Sequence, residues 1–237
     1  MRDHTKAFCR IAAETFDCSG PVIEFGSYQV EGQHELIDVR SFFKGKDFLG
    51  CDMRPGPGVD KVADVSAIDM PDGSAGTVLC IETFEHVFEV RKAFDEVFRI
   101  LKPGGTFMIT SPLNFRIHAY PDDYWRMTPS CLRRLMSNYQ GLVCGFQGFH
   151  KFPHTVMAIG VKGPAPSNFV GCARELISNY NGWLNGAKEG RSLGTKVRER
   201  VGMLYRSKGE RYLINHYYST GFTIDMHGQP VADLKAA

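Results

Sequence analysis

The chain of 237 residues lacks any Cys-x-x-Cys pair: its seven cysteines, at 9, 18, 51, 80, 131, 144 and 172, never fall two to four positions apart. A zinc knuckle and a thioredoxin-like redox pair are thereby excluded, and reduced cytosolic thiols are the simplest reading. A surplus of charge is missing too. Lys plus Arg number 28 against 26 Asp plus Glu, leaving +2, too little for a phosphate-neutralising surface, so bulk nucleic-acid binding is not expected. No apolar run approaches the eighteen or so residues of a membrane helix. The opening residues carry charges at Arg2, Asp3, Lys6, Arg10, Glu14 and Asp17, so no signal peptide is expected and the chain is read as cytoplasmic, with no membrane partner. Internal repeats and low-complexity stretches are absent.

What is present is a well-furnished core, 43% apolar with 12% aromatic residues, enough for one large domain or one domain with an extension. Phe8, Ile11, Ala12 and Phe16 recur at helical steps, so the chain opens on an amphipathic helix. Short apolar runs follow at Pro21–Phe25, Asp47–Asp52, Lys61–Val65, Thr77–Ile81 and Thr106–Thr110. Helical patterns are expected over 33–43, with Leu36, Val39 and Phe43, and over 87–101, with Val87, Val90, Phe94, Val97 and Leu101. Five strands interleaved with helices predict a parallel sheet with right-handed crossovers. Leu142–Phe149 and His154–Val161 are separated by too few residues for a crossover and must pair antiparallel. The expected fold is α/β: a Rossmann-like, seven-stranded, mostly parallel sheet ending in an antiparallel pair. Residues 1–163 form its domain, and 164–237 a C-terminal helical extension in which Phe169–Trp183 and Leu193–Leu204 each share a face.

In open parallel sheets the ligand lies beyond the carboxyl ends of the strands, where strand order reverses. Four such ends carry candidate contacts: Val22-Ile23-Glu24-Phe25-Gly26-Ser27-Tyr28, Asp52, Asp64-Val65 and Ile81-Glu82-Thr83. Gly26 allows a close turn past a ligand, and an acid after strand two can accept both hydroxyl hydrogens of a ribose. Taken singly, each acid could equally cap its own loop; their joint placement favours a ligand.

Three strings, Val22-Ile23-Glu24-Phe25-Gly26-Ser27, Cys80-Ile81-Glu82-Thr83-Phe84-Glu85-His86-Val87 and Leu101-Lys102-Pro103-Gly104-Gly105-Thr106, resemble the class I S-adenosylmethionine (SAM)-dependent methyltransferases over residues 20–163, in particular the group that methylates ubiquinone precursors and many small molecules. The resemblance implies SAM as cofactor. It implies that Glu24, Gly26, Ser27 and Tyr28 surround the methionine part, that Asp52 holds the ribose and Met53 packs on adenine, that Asp64 and Val65 meet the adenine edge, and that Ile81 and Glu82 approach from strand four. The sequence departs from the family at Tyr28 and Val30, which stand where glycines are commonest. No Gly-x-Gly-x-x-Gly follows the first strand, which argues against a pyrophosphate and hence against a nicotinamide oxidoreductase. A non-catalytic scaffold with this fold is the other alternative, motivated by Tyr28 and Val30.

A sulfonium leaves as a neutral thioether, so the protein mainly aligns the reactants and removes a proton where the acceptor needs it. The stretch 114–126 follows strand five and is dense in polar and aromatic groups. It offers His118 as a base, Tyr120, Tyr124 and Trp125 as surfaces for a small-molecule acceptor, and Arg116 and Arg126 for an anionic group. His86 is a second catalytic candidate, although Glu85-His86 reads more readily as a helix-start carboxylate beside a packed imidazole. Thr128-Pro129 has the form of a helix start. His150 and His154 have metal-binding spacing on a helix, but Pro153 and strand-like surroundings deny that geometry, so no metal is expected there. The basic run over 188–211 reads by default as a solvated helix face, with binding of a phosphorylated or acidic acceptor the lesser alternative, and the tail is left as a cover for the site or a surface for homodimerisation.

Overall fold

The computed structural model describes residues 2–32, 38–118, 122–204 and 207–235. Nine strands form one sheet in the order β3-β2-β1-β4-β5-β7-β6-β8-β9. They are β1 (Val22–Phe25), β2 (Phe48–Asp52), β3 (Lys61–Val62), β4 (Ala75–Ile81), β5 (Leu101–Pro112), β6 (Gly141–Phe149), β7 (Phe152–Val161), β8 (Thr220–Met226) and β9 (Gln229–Lys235). Strands β1 to β5 pair in parallel, and β7, β6, β8 and β9 continue the sheet antiparallel. The chain runs outward from β1 through β2 to β3, then returns to place β4 on the other side of β1. That reversal leaves a crevice above the carboxyl ends of β1 and β4.

Period-two alternation divides the apolar side chains between the two faces. Val78 and Cys80 of β4, Phe107 and Ile109 of β5, and Val156 and Ala158 of β7 meet Phe94, Val97 and Ile100 of α2 (Val90–Ile100) and Leu132 of α3 (Pro129–Leu135). Leu79, Met108, Met157 and Ile159 point the other way, towards α1 (Asp3–Thr15) and α4 (Phe169–Glu189). On that face Phe8 of α1 meets Tyr180 of α4 edge-on, with ring centroids 5.6 Å apart, and Tyr180 in turn meets Phe222 of β8 at 6.2 Å. The two ends of the chain are thus closed over the same face of the sheet.

Several expectations are met and others corrected. Thr128 caps α3 by accepting a hydrogen bond from the Cys131 amide, with Pro129 in the first turn. The antiparallel pair is β6 and β7, as its short connection requires. Of the helix expected over 33–43, residues 33–37 lie outside the described residues, and Arg40–Phe43 is a single 3-10 turn. The strand expected over 61–65 is only two residues long. The sheet exceeds seven strands because the segment after 163 is not wholly helical. Beyond α4, α5 (Leu193–Leu204) and α6 (Lys208–Asn215), the chain returns as the β8–β9 hairpin on the free edge of β6. The hairpin turns on His227 and Gly228, both at positive φ (50° and 76°), the two-residue connection that matches strand twist. Arg133 of α3 holds it through a bidentate pair with Asp225 at 2.8 and 2.9 Å.

Phe8 is fully buried, so Phe8→Ala should cost about 3–5 kcal/mol of unfolding free energy in urea titration. A loss below about 1 kcal/mol would show that α1 does not anchor the face it covers.

Candidate functional site

The carboxyl ends of β1, β2 and β4 open on a cavity of about 450 Å³. Its floor is Phe25 and Gly26 after β1; its walls are Asp52, Met53 and Arg54 after β2, Ala63 and Val65 after β3, and Glu82, Thr83, His86 and Val87 after β4. Tyr28, Val30 and His118 complete it. A second cavity of about 300 Å³ adjoins it, lined by Glu24, Ile81, Glu85, Pro112, Phe115 and Arg2, and shares Gly26, Tyr28, Glu82 and His118 with the first.

Backbone geometry explains why the floor is open. Gly26 has φ +89°, and a Cβ there would overlap the Thr83 side chain; the Thr83 hydroxyl itself donates to the carbonyls of Phe25 (3.1 Å) and Ile81 (3.2 Å). The Gly26 and Ser27 amides both donate to the Cys51 carbonyl, at 2.8 and 3.0 Å, which ties the first loop to β2. Glu82, at the end of β4, is a non-glycine residue in the left-handed region (φ 51°). Such a conformation costs energy and persists only where surrounding contacts impose it. The Glu82 amide donates to the Thr110 carbonyl (2.9 Å), and its carboxylate accepts from Thr5 (3.2 Å).

The acids differ in how they are held. Asp52 accepts from the Arg54 amide (3.0 Å) and, through its other oxygen, from the Tyr28 amide at 3.4 Å. Glu24 is buried, and burial, with Asp38 and Asp52 adding repulsion against the opposing pull of Arg40, pushes its carboxyl up to about 8. Asp64 uses one oxygen to cap Ser66, accepting from its amide and hydroxyl at 2.7 Å each, and it is Ala63 and Val65 on either side that line the cavity. Ser27 is buried beneath the loop and lines neither cavity. The Tyr28 ring lies under the Arg54 guanidinium, 4.5 Å from centroid to Cζ, and against Gly56, where a Cβ would overlap it. The side chain that departs from a glycine-rich loop therefore has a place of its own.

The loop after β5 divides in two. Phe115 and His118 reach the cavities. Arg116 is exposed beside Phe115, and Arg126 is committed to Asp123 through both terminal nitrogens (2.5 and 2.6 Å) and to the carbonyl of Arg116. Tyr124 donates its hydroxyl to Asp122, and the Trp125 indole donates to the Val87 carbonyl at 2.9 Å. None of these four side chains lines either cavity; those of Tyr124, Trp125 and Arg126 fasten the loop. Tyr120 lies outside the described residues. Asp123 is the hub: the Arg126 hydrogen bonds hold its carboxyl well below the usual carboxylate range, and it also accepts from the His118 amide (2.8 Å) and ring Nδ1 (3.0 Å).

His86 and His118 meet edge to face with ring centroids 4.7 Å apart. His86 Nδ1 donates to the Asp122 carbonyl at 2.5 Å, and partial burial lowers its affinity for a second proton. Glu85, beside it, is 1% exposed and one of its carboxylate oxygens has no hydrogen-bond partner; burial raises its carboxyl well above the usual range. Thr83 stands in one of the four strand-end strings, whereas Arg54, Phe115 and Arg2 were not expected at the site. Of these three, only Phe115 had a signal, its position inside the loop after strand five.

A mostly parallel sheet with an acid after β2 and a glycine-floored turn after β1, opening on a cavity at the strand-order reversal, defines a Rossmann-like α/β fold. Residues 45–109 match the family model described as a methyltransferase domain. A probable S-adenosylmethionine-dependent methyltransferase of Mycolicibacterium smegmatis is 27% identical over 118 residues, 47% of this chain and 45% of that protein, so the chain spans about half the length of the curated relative it matches. A SAM-dependent methyltransferase structure from Archaeoglobus fulgidus shares the fold, with a TM-score of 0.52 at 14% identity over 66% of this chain and 92% of that one. The methyltransferase in the Haloferax volcanii complex with the Trm112 activator aligns at a TM-score of 0.48 and 16% identity over 69% of this chain and 92% of its own. The family-model match and the named relative support a class I SAM-dependent methyltransferase, the family that the three sequence strings resemble and whose cofactor is S-adenosylmethionine.

The raised carboxyl of Glu24 has a measurable consequence. Between about pH 4.5, its ordinary value, and about pH 8 the folded chain keeps a proton that the unfolded chain releases, so stability contributed by this group is greatest at the acid end and falls as pH rises. Glu85 acts in the same sense. Glu24→Gln should therefore reduce, without abolishing, the decline of Tm from about pH 5 to about pH 8; an unchanged slope would show that Glu24 is ionised in the fold.

Proposed function

We propose that the protein is a cytoplasmic methyltransferase that carries a methyl group from SAM to a small-molecule acceptor. The observation that carries this reading is the convergence of Asp52, Glu24 and Gly26 on adjoining cavities at the strand-order reversal. Bound there, SAM supplies an electrophilic methyl on a sulfonium sulfur. Asp52 would accept the ribose hydroxyls. Met53, which is 55% exposed, and Val65 would face the adenine ring. Asp64, held at Ser66, would meet the adenine amino group with its second oxygen. Glu24, Gly26 and Tyr28 would enclose the methionine portion, the Glu24 carboxyl opposite its ammonium, with Ile81 and Glu82 forming the wall from β4 and Ser27 supporting the loop from behind.

The residues present fit that cofactor better than a dinucleotide. Arg54, whose guanidinium is engaged by Tyr28 and by the Asp52 carboxylate (3.7 Å), is the cation of the larger cavity, and the loop after β1 offers Tyr28 and Val30 rather than bare amides. The smaller cavity, close to the lower size limit for small-ligand sites, supports a small acceptor bounded by Phe115 and Arg2. His86 and His118 stand where the two cavities meet. Tyr124, Trp125 and Arg126 contribute by fixing the loop that carries His118, and the exposed rings of Tyr124 and Trp125, with exposed Arg116, supply an outer rim for the acceptor. All seven cysteines are unpaired, which supports a reducing compartment, and among the described residues no helix is long and apolar enough to cross a membrane.

Calorimetry tests this reading. SAM and S-adenosylhomocysteine should bind and NADH should not. Asp52→Ala should weaken SAM by about 10- to 150-fold, the equivalent of the roughly 1.5–3 kcal/mol of a charge-assisted hydrogen bond. Absence of SAM binding would favour a scaffold, and NADH binding an oxidoreductase.

A further inference from the structure

Where the two cavities join, Glu85, His86 and His118 each bring one donor atom within 4.8 Å of the other two. His86 and Glu85 are adjacent at the 3-10 turn after β4, Phe84–His86, and His118 arrives from the loop after β5. Two residues contiguous in sequence thus meet a third more than thirty positions away. His86 Nε2 is 3.9 Å from a carboxylate oxygen of Glu85.

The protonation pattern of both rings is set by their outer partners. A carbonyl can only accept, so the bond from His86 to the Asp122 carbonyl requires the hydrogen on Nδ1 and leaves the Nε2 lone pair bare. Ionised Asp123 likewise only accepts, which places the His118 hydrogen on Nδ1 and bares its Nε2. A ring hydrogen given to a carbonyl or carboxylate while the far nitrogen stays open is the arrangement that orients metal-bound imidazoles. Asp122 and Asp123 are neighbours, so one short segment supplies both outer contacts. The third group points the same way: Glu85 is buried with one carboxyl oxygen that has no hydrogen bond, and a buried polar atom left without a partner carries a cost that a ligand beside it would offset.

We propose that Glu85, His86 and His118 bind a divalent transition-metal cation with open coordination positions facing the acceptor cavity. Two imidazoles and one carboxylate suit zinc, iron(II), cobalt(II) or manganese(II). Tetrahedral donors about 2.1 Å from zinc lie about 3.4 Å apart, so loading draws the three side chains inward from their present spacing. The role of the cation rests on the methyltransferase reading: it would hold a hydroxyl-bearing acceptor, favouring one with a second oxygen nearby to chelate it. A bound hydroxyl loses its proton to water more readily. The acceptor oxygen then forms the new O–C bond as the S–C bond of SAM breaks, and the electron pair of that bond stays on sulfur. The two imidazoles are ligands in this scheme, not proton acceptors.

The test uses the full chain stripped with chelator and titrated with cobalt(II) chloride, followed by visible absorption. Expected are ligand-field bands that saturate at one cobalt per chain, displaced by zinc, without the near-ultraviolet thiolate band that binding at exposed Cys131 would give. His118→Ala and Glu85→Gln should weaken cobalt by more than tenfold, and Asp123→Asn, which removes an outer contact, by about 10- to 100-fold. His150→Ala, at an exposed position outside the cluster, should leave it unchanged. Circular dichroism of each variant separates lost ligation from lost folding, and should Glu85→Gln fail to fold, His118→Ala decides. Non-saturating binding, a thiolate band, or affinity unchanged in His118→Ala overturns the site. SAM calorimetry on the same samples keeps the two claims apart: SAM binding without cobalt binding defeats the cation and leaves the methyltransferase, whereas cobalt binding without SAM binding defeats the acceptor role and leaves the site.

Discussion

The strand-order reversal at β1 is the constraint on which the rest of this structure depends. Parallel pairing of β1 with both β2 and β4 forces their carboxyl ends to the same edge, while the connections leave in opposite directions and cannot cover the gap between them. Gly26, Asp52 and Glu82 reach one cavity because each is the residue at or just beyond such an end. Residues far apart in sequence are thus brought together by backbone hydrogen bonding alone, before any side chain makes a specific contact.

Apolar packing then fixes the two faces. One is covered by α2 and α3, the other by α1 and α4, so the first and last thirds of the chain share a core through Phe8, Tyr180 and Phe222. α1 also reaches the site: Thr5 donates to Glu82, and Arg2, one residue before the helix, lines the smaller cavity and donates to the His154 carbonyl. Packing of an N-terminal helix and the shape of the pocket are therefore one problem rather than two.

A second constraint is electrostatic and local. Asp123 gathers Arg126, the His118 amide and the His118 ring on one carboxylate with a side chain only 2% exposed. At such burial, charge-assisted hydrogen bonds are stronger than in water and less tolerant of a missing partner. The result is a loop whose arginine and aromatic side chains serve its own conformation, with a histidine and a phenylalanine left over for the cavities. Tyr124, Trp125 and Arg126, residue types that suggest substrate contact in a linear reading, each carry a hydrogen bond that fastens the loop.

The sequence alone determined the alternation of strand and helix, the antiparallel end, the cap at Thr128 and the acids at strand ends, because each follows from periodicity or from chemistry confined to a few neighbouring residues. The β8–β9 hairpin carries the same kind of local signal, alternating residues around a two-residue turn ending in glycine, although its pairing with β6 depends on the tertiary fold. Only the tertiary structure decided that Asp64 turns one oxygen to Ser66, that Tyr28 finds room against Gly56 and Arg54, and that Glu85, buried after β4, comes to face His118 from the next loop. Those outcomes depend on distances between segments that no local pattern encodes, and on burial, which changes what a carboxylate costs and which partner it must find.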